Sequence, residues 1–149
     1  MDIGSKHGYP SSALSNFAPH KFIVDEIECN SMEGFLQSLK FSNPDMQVEV
    51  CKLVGFTAKK RGSNKNWQTS QTLWWKGKAI KRESKEYQDL LNKAYLALSK
   101  NTNFQKALLA TKDAVLTHVI GRTNEKETVL TRQEFCSRLT KIRNVLGRM

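Results

Sequence analysis

The sequence predicts an α+β fold: a mainly helical single domain, residues 1–149, with a small β-sheet. Along most of the chain, apolar side chains recur at steps of three and four, which is the spacing of one buried helix face. Residues 22–29 differ, because two short strand-forming runs flank the polar pair Asp25 and Glu26, a pattern typical of two strands joined by a turn. A chain of 149 residues is also of the size that buries one hydrophobic core.

The N-terminal half is predicted to contain a loop, the strand pair and two helices. Residues 8–20 are rich in Gly, Pro, Ser and Asn, which favours an ordered loop. One helix is expected to begin within residues 30–33. A second is expected at Asn43 and Pro44, which resemble an N-cap and a first helical residue, and Gly55 is expected to end it. The buried face of the first helix is predicted to hold Met32, Phe35, Leu36 and Leu39.

The C-terminal half has the most regular helical pattern, within residues 83–99. A shorter helix is predicted around residues 104–109. Residues 114–120 are rich in β-branched side chains and are expected to form a strand. Thr131 and Glu134 have the spacing of a capping box, which predicts that a terminal helix begins there.

Charge restricts the class of binding partner. The chain has 24 Lys and Arg against 14 Asp and Glu, a formal net charge of +10. Such an excess attracts polyanions, among them nucleic acid, nucleotides and phosphosugars. Many soluble proteins are basic without any such site, so the charge selects no chemistry by itself.

Cysteine usage and hydropathy indicate the compartment. Cys29, Cys51 and Cys136 are an odd number with wide spacing, which argues against a disulfide framework or a zinc site and for a reducing environment. No apolar run approaches the roughly 18–20 residues that cross a bilayer, and the N-terminus lacks the pattern of a secretory signal. A cytoplasmic protein without membrane contact is expected.

The sequence has no motif for a metal or a cofactor. A Gly-rich phosphate loop, a Ser-His-Asp order and a His-Glu-x-x-His motif are all missing, and His7, His20 and His118 do not have metal-ligand spacing. Chemistry without metal or cofactor then needs a carboxylate or a lysine beside a cleft, because these groups move protons or form covalent intermediates.

Glu33 is the leading candidate for that carboxylate. Asn30 is a good N-cap, and Glu33 at the third helical position would complete a capping box, so a purely structural role fits the spacing equally. Gln37 and Lys40 follow on the same helical face, one and nearly two turns later. This polar stripe is either a solvated helix face or one wall of a cleft.

Tryptophans and basic residues provide a second set of candidates. Trp67, Trp74 and Trp75 lie in a polar stretch with no clear period, and they are either core residues or platforms on which a nucleobase stacks. The preceding residues 57–66 are expected to form a solvated basic loop able to meet phosphates. Its basic residues are Lys59, Lys60, Arg61 and Lys65.

Residues 14–41 resemble the opening of the NADAR family, also called YbiA-like. The family shows a Ser-Asn-Phe loop, a strand pair, and a helix with a Ser/Thr-x-Glu start and a Gln-x-x-Lys-Phe end. The matching positions here are Ser15, Asn16, Phe17, Ser31, Glu33, Gln37, Lys40 and Phe41. The later segment ALLATKDAVLTHVIG also resembles the family, more loosely, so the similarity covers most of the chain.

The resemblance implies a YbiA-like fold and an N-glycosidase that acts without a cofactor on ribosylated substrates. ADP-ribosylated guanine and phosphoribosyl pyrimidine-type intermediates are the substrates it implies, as small molecules or within a nucleic acid. Glu33 and Lys40 would be the catalytic residues. The residues expected to contact the substrate are Ser15, Asn16, Phe17, Gln37, Arg61, Trp67 and His118.

Three departures from the family pattern concern the substrate more than the reaction. Gly34 stands where many members have His, His118 where an acidic residue is common, and residues 121–131 replace a Trp-Gly loop containing Asp. Asn124, Thr128 or His118 are candidates for the lost contacts. The alternative function is a non-catalytic accessory protein that binds DNA, RNA or ADP-ribose through its basic surface.

Overall fold

The computed structural model describes all residues from Met1 to Met149. It is α+β, as the sequence predicts, and has seven helices and two small antiparallel sheets where one sheet was expected. None of the helices is both long and apolar enough to cross a membrane. In chain order the elements are α1 (Ser11–Leu14), β1 (Phe22–Val24), β2 (Ile27–Cys29), α2 (Met32–Ser38), α3 (Pro44–Cys51), α4 (Gly55–Gly62), β3 (Thr72–Trp75), β4 (Lys78–Lys81), α5 (Lys85–Leu98), α6 (Thr102–Ala110) and α7 (Arg132–Leu146).

The start of α2 corrects the capping-box interpretation of Glu33. The N-cap is Ser31, whose hydroxyl accepts from the Gly34 backbone N–H at 3.0 Å. Asn30 instead donates from its side chain to the Lys52 carbonyl at 2.9 Å. Glu33 is therefore the second helical residue, and its carboxylate is free of any capping bond to the backbone.

Helices α3 and α4 pack on α2 and surround its polar side. Asn43 caps α3 as predicted, with its side chain accepting from the Asp45 and Met46 backbone N–H groups. Gly55, expected to end α3, instead begins α4 with a φ of +60°, a left-handed conformation that glycine adopts at little cost. The predicted basic loop over residues 57–66 is wrong in its first half, since residues 55–62 are helical.

Two hairpins supply the β-structure. Strands β1 and β2 pair with Ile23 opposite Glu28, which confirms the predicted strand pair. The second hairpin, β3 with β4, pairs Leu73 with Ile80 and lies in the stretch that follows no clear period. Its turn includes Gly77, whose φ of +84° is accessible chiefly to glycine.

The C-terminal helices form as predicted, whereas the expected strand over residues 114–120 does not. This segment makes only an isolated bridge between Thr117 and Asp2. No neighbouring strand lies beside it, so β propensity alone cannot extend the pairing. Thr131 and Glu134 form the predicted capping box at the start of α7.

One hydrophobic core of 27 buried residues joins both halves of the chain. It contains the predicted apolar faces of α2 and α5, and only part of those predicted for α6 and α7, since Leu109 and Val145 are exposed. One buried ion pair borders the core. Arg82, 0% exposed, contacts Glu134 with its Nη2 at 2.6 Å from Oε1. Its Nε also donates to the Thr128 carbonyl at 2.9 Å, so the charge is buried with its polar partners, as such a charge requires.

Candidate active site

The Ser-Asn-Phe loop lies against the first turn of α2. The Ser15 hydroxyl accepts from the Phe17 backbone N–H at 3.2 Å, which fixes the loop as a local turn. The Glu33 backbone N–H then donates to the Asn16 carbonyl at 2.9 Å. The loop thereby satisfies one of the unpaired N–H groups at the start of α2, and it brings Asn16 beside Glu33.

The Glu33 carboxylate accepts a side-chain hydrogen bond on Oε2 from Gln37 Nε2 at 2.7 Å. Burial raises the pKa of Glu33, while the Gln37 bond and the charges of Lys40, Lys59 and His118 lower it less strongly. The carboxylate can accept further hydrogen bonds, since an ionised carboxylate accepts several. A half-buried carboxylate with a raised pKa holds a proton more readily than an exposed one, which suits it to proton transfer.

Lys40 lies just beyond the end of α2 and is half-buried. Its Nζ is 3.5 Å from the Gly62 carbonyl, and it has no salt-bridge partner within 4.0 Å. Burial lowers the pKa of Lys40, the charge of Glu33 raises it, and the charge of Lys59 lowers it further. Glu33 and Lys40 are thus close enough to influence each other's protonation without forming an ion pair.

Gln37 connects α2 to α4 and is 6% exposed. Its Oε1 is buried without a hydrogen-bond partner and lies over Gly62, where an added Cβ would be 1.9 Å away. A side chain at position 62 would displace the amide that holds Glu33. The close approach of α2 and α4 at Gly62 therefore sets the position of Gln37.

His118 reaches the same region from the segment after α6. Its Nδ1 is 2.7 Å from the Ile3 carbonyl, and its ring packs edge-on against Phe135 with centroids 5.2 Å apart. Its charge is the weakest of the influences that lower the pKa of Glu33. Asn124 and Thr128 are instead engaged in local turns, bonding within residues 124–130.

Tyr95 is a site-related residue that the sequence pattern did not distinguish from the α5 core stripe. Its hydroxyl donates to Asn16 Oδ1 at 2.9 Å, and the charge of Glu33 is one of the influences on its pKa. Only the pairing of α5 with the loop reveals this contact. Within the α5 periodicity, a tyrosine at that position is indistinguishable from a core residue.

Two predicted contact residues have other surroundings. Trp67 is 3% exposed and belongs to the core, so the prediction that a base stacks on it is wrong. Apolar burial of the large indole outweighs exposure in a stretch with few other core residues. Arg61 is exposed on α4, and its guanidinium lies 4.8 Å from the centroid of the Phe41 ring. Phe41 directly follows Lys40 in the sequence.

Gly34 is explained by close packing. A Cβ at this position would lie 2.5 Å from the Leu53 carbonyl oxygen and 2.9 Å from that of Cys51. Both are backbone oxygens, which cannot move away by a rotamer change as a side chain can. The approach of α2 to the end of α3 therefore excludes a larger side chain at position 34.

Two surface depressions lie away from this group. One, of about 510 Å³, is flanked by Lys21, Ile23 and Lys100. The other, of about 500 Å³, includes Asn124 and Arg138. Neither includes Glu33 or Lys40, and no three His, Cys, Asp or Glu side chains are grouped as metal ligands.

The fold is YbiA-like. The NMR structure of the E. coli protein YbiA matches with a TM-score of 0.63, covering 99% of this chain and 84% of that one at 18% identity. The chain itself belongs to the family described as bacteriophage protein GP30.3, whose model matches residues 8–144. A relative from Enterobacteria phage T4, an uncharacterized 17.1 kDa protein in the Gp30-rIII intergenic region, is 38% identical over 98% of both chains.

Proposed function

We propose that this protein is a metal-independent hydrolase of the NADAR type that cleaves a ribosyl N-glycosidic bond, with residues 1–149 as one catalytic domain. The observation that carries the proposal is the carboxylate of Glu33. It is half-buried with a raised pKa, accepts a hydrogen bond from Gln37, and is influenced by the charges of Lys40 and His118, while the Glu33 backbone N–H donates to the Asn16 carbonyl. The YbiA-like fold and the family resemblance of the Ser-Asn-Phe loop and α2 support the same assignment.

In the proposed reaction, the C–N bond at the ribosyl carbon is replaced by a C–O bond. The C–N bond between ribose and base breaks, its electron pair goes to the base nitrogen, and that nitrogen takes up a proton. Positive charge develops on the sugar, and an ionised Glu33 stabilises it. Water supplies the new oxygen on the ribosyl carbon and gives up a proton, which Glu33 is placed to accept.

A route through Lys40 gives the same products. A neutral Lys40 amine attacks the ribosyl carbon, and the base leaves with the electron pair of the broken C–N bond and takes up a proton that the amine nitrogen gives up. The sugar ring then opens to an imine as the second amine proton passes to the ring oxygen, and water hydrolyses the imine to the free sugar and the Lys40 amine. This route needs a lysine whose pKa is below its ordinary value, and the burial of Lys40 lowers its pKa. Lys40 also lacks a salt-bridge partner that would hold its amine in the charged form, which favours this route.

The substrates proposed are ADP-ribosylated guanine, free or in a nucleic acid, and phosphoribosyl pyrimidine-type compounds. Their phosphates suit the cationic surface of α4, where no cation forms a salt bridge within 4.0 Å. The exposed cations are Lys59, Lys60 and Arg61 on α4 and Lys65 just after it. All three cysteines are free thiols, which fits action in a reducing compartment such as the cytoplasm.

The same cations favour the alternative, an accessory protein that binds nucleic acid or ADP-ribose without catalysis. Its affinity for DNA or RNA would fall steeply with salt concentration, because binding releases counterions from the phosphates. A hydrolase that binds its substrate through phosphates shares this salt dependence. Product release is therefore the property that separates the two functions.

The test incubates the protein with ADP-ribosylated guanosine, ADP-ribosylated DNA, ADP-ribosylated protein and a phosphoribosyl pyrimidine, and measures release of base or ADP-ribose. Release from at least one substrate, abolished by Glu33→Gln, is the expected result. Gln keeps the acceptor for Gln37 and removes the ionisable group, so folding is preserved. If the protein binds DNA in a salt-sensitive way but releases no base or ADP-ribose from any substrate, the hydrolase proposal is wrong and the accessory function is favoured.

A further inference from the structure

Tyr95 is a buried tyrosine of α5 whose hydroxyl is its only polar side-chain atom. The side chain is 1% exposed, and its ring packs against Phe135 with centroids 6.4 Å apart. Its hydroxyl makes one hydrogen bond, to Asn16 Oδ1 at 2.9 Å. Burial raises the pKa of Tyr95 well above 10.0, so the hydroxyl keeps its proton and remains available as a donor.

Asn16 is consequently held at two points. Its backbone carbonyl accepts from the Glu33 N–H, and its side-chain oxygen accepts from Tyr95. The remaining polar atom, Nδ2, has no hydrogen-bond partner in the protein. The buried side-chain atoms without a hydrogen-bond partner are Gln37 Oε1 and Gln71 Oε1. Asn16 Nδ2 is not among them, so it is accessible to solvent beside the first turn of α2.

We propose that Tyr95 is a positioning residue that fixes the Asn16 amide, so that Nδ2 donates to a ribose hydroxyl of the substrate while Glu33 lies beside the same sugar. A hydroxyl both accepts and donates, so an amide donor and a carboxylate acceptor at one site are complementary to ribose hydroxyls. Fixing the amide in advance removes the entropy cost of ordering it when substrate binds. The proposal rests on the proposed function for the identity of the sugar.

The test replaces Tyr95 by Phe, which removes the hydroxyl and keeps the buried ring. Tyr87→Phe is the matched control, because Tyr87 is also buried on α5 and its hydroxyl donates to the Val129 carbonyl. Both variants lose one buried hydrogen bond. Only Tyr95→Phe is expected to lower kcat/KM, by about three- to tenfold, the value of one ordinary hydrogen bond.

A double-mutant cycle separates positioning from general destabilisation. In an Asn16→Ala background, Tyr95→Phe should have no further effect on kcat/KM, because the amide on which it acts is gone. Asn16→Asp, which keeps the acceptor for Tyr95 and loses Nδ2, should behave as Asn16→Ala. An equal loss from Tyr87→Phe, or an undiminished effect of Tyr95→Phe in Asn16→Ala, would overturn the proposal.

A readout without turnover keeps this proposal distinct from the hydrolase. In the NMR spectrum of the ligand-free protein, the Asn16 side-chain amide should show one ordered conformer in the wild type and in Tyr87→Phe. It should show conformational averaging in Tyr95→Phe. An unchanged amide signal in Tyr95→Phe overturns the positioning role, whereas a wild-type protein that releases no product overturns the hydrolase alone.

Discussion

Gln37 Nε2 and Glu33 Oε2 lie 2.7 Å apart, one helical turn from each other on α2. The amide that orients the carboxylate is itself held over Gly62 of α4, so the carboxylate depends on packing between two helices. Burial raises the pKa of Glu33 against the effect of this bond. The ionised form is therefore disfavoured by its surroundings, which is common where a group serves chemistry rather than stability.

Glu33→Gln should abolish hydrolysis without loss of stability, and its effect on stability should depend on pH. A carboxyl whose pKa is raised in the folded protein contributes stability below its unfolded pKa, and this contribution is lost as pH rises through the folded pKa. The free energy of unfolding of Glu33→Gln, relative to that of the wild type, should therefore increase from pH 4 to pH 8. Denaturant unfolding at the two pH values measures this, and a relative stability that falls with pH would contradict the raised pKa.

Lys40→Arg should be as inactive as Lys40→Met if the Lys40 amine attacks the sugar, because an arginine remains charged and cannot form the imine. Treatment of the wild type with borohydride during turnover should then add the sugar covalently to Lys40, which mass spectrometry of the peptide detects. Substantial activity in Lys40→Arg, with none in Lys40→Met, would instead assign Lys40 a purely electrostatic role and leave attack to water.

Gly62→Ala should reduce hydrolysis about tenfold or more, the value of a hydrogen bond to a charged group. The new Cβ would lie 1.9 Å from Gln37 Oε1, so the amide must move and release Glu33. Gly8→Ala is the control, since a Cβ there meets nothing within 4 Å. Rates of product release for the two variants, with circular dichroism to verify folding, check this. Equal rates would show that Gln37 does not act through this position.

Arg82→Met should destabilise the protein by about 3–5 kcal/mol, because it leaves the Glu134 carboxylate without its buried cation. Lys85→Met, which removes the exposed pair with Asp89 at 3.1 Å, should cost at most about 0.5 kcal/mol. Urea unfolding of both variants at neutral pH makes the comparison. Similar losses in the two would show that the buried pair contributes no more than a surface pair.

Acidification should reduce the difference between wild type and Arg82→Met. Burial raises the pKa of Glu134, but hydrogen bonds from Arg82 and Gln88 outweigh it and the pKa is lowered overall from 4.5. A lowered folded pKa gives stability above the unfolded value, and it is lost as pH falls through the folded pKa. The difference in free energy of unfolding should therefore shrink below about pH 4, and a constant difference down to pH 2 would argue against this linkage.

The predictions that held rest on local interactions. The periodicity of residues 83–99 and the capping box at Thr131 and Glu134 specify helices through contacts within one or two turns, so these elements form as predicted. The predictions that failed needed distant partners. Residues 114–120 have strand-forming side chains and no strand to pair with, and Asn30 bonds to Lys52 instead of capping α2.

The sequence by itself determined the α+β class, the first hairpin and most helices, because periodicity and capping are encoded by near neighbours. It also determined a polar stripe of Glu33 and Gln37 on α2 that Lys40 continues just beyond the end of the helix. Only the tertiary structure decided what the stripe faces. It placed the Tyr95 hydroxyl against Asn16, buried Trp67, excluded a side chain at position 34, and put Gly62 where a side chain would displace the Gln37 amide. The pKa of Glu33 is raised by the burial that this packing creates, and no pattern along the chain records that burial.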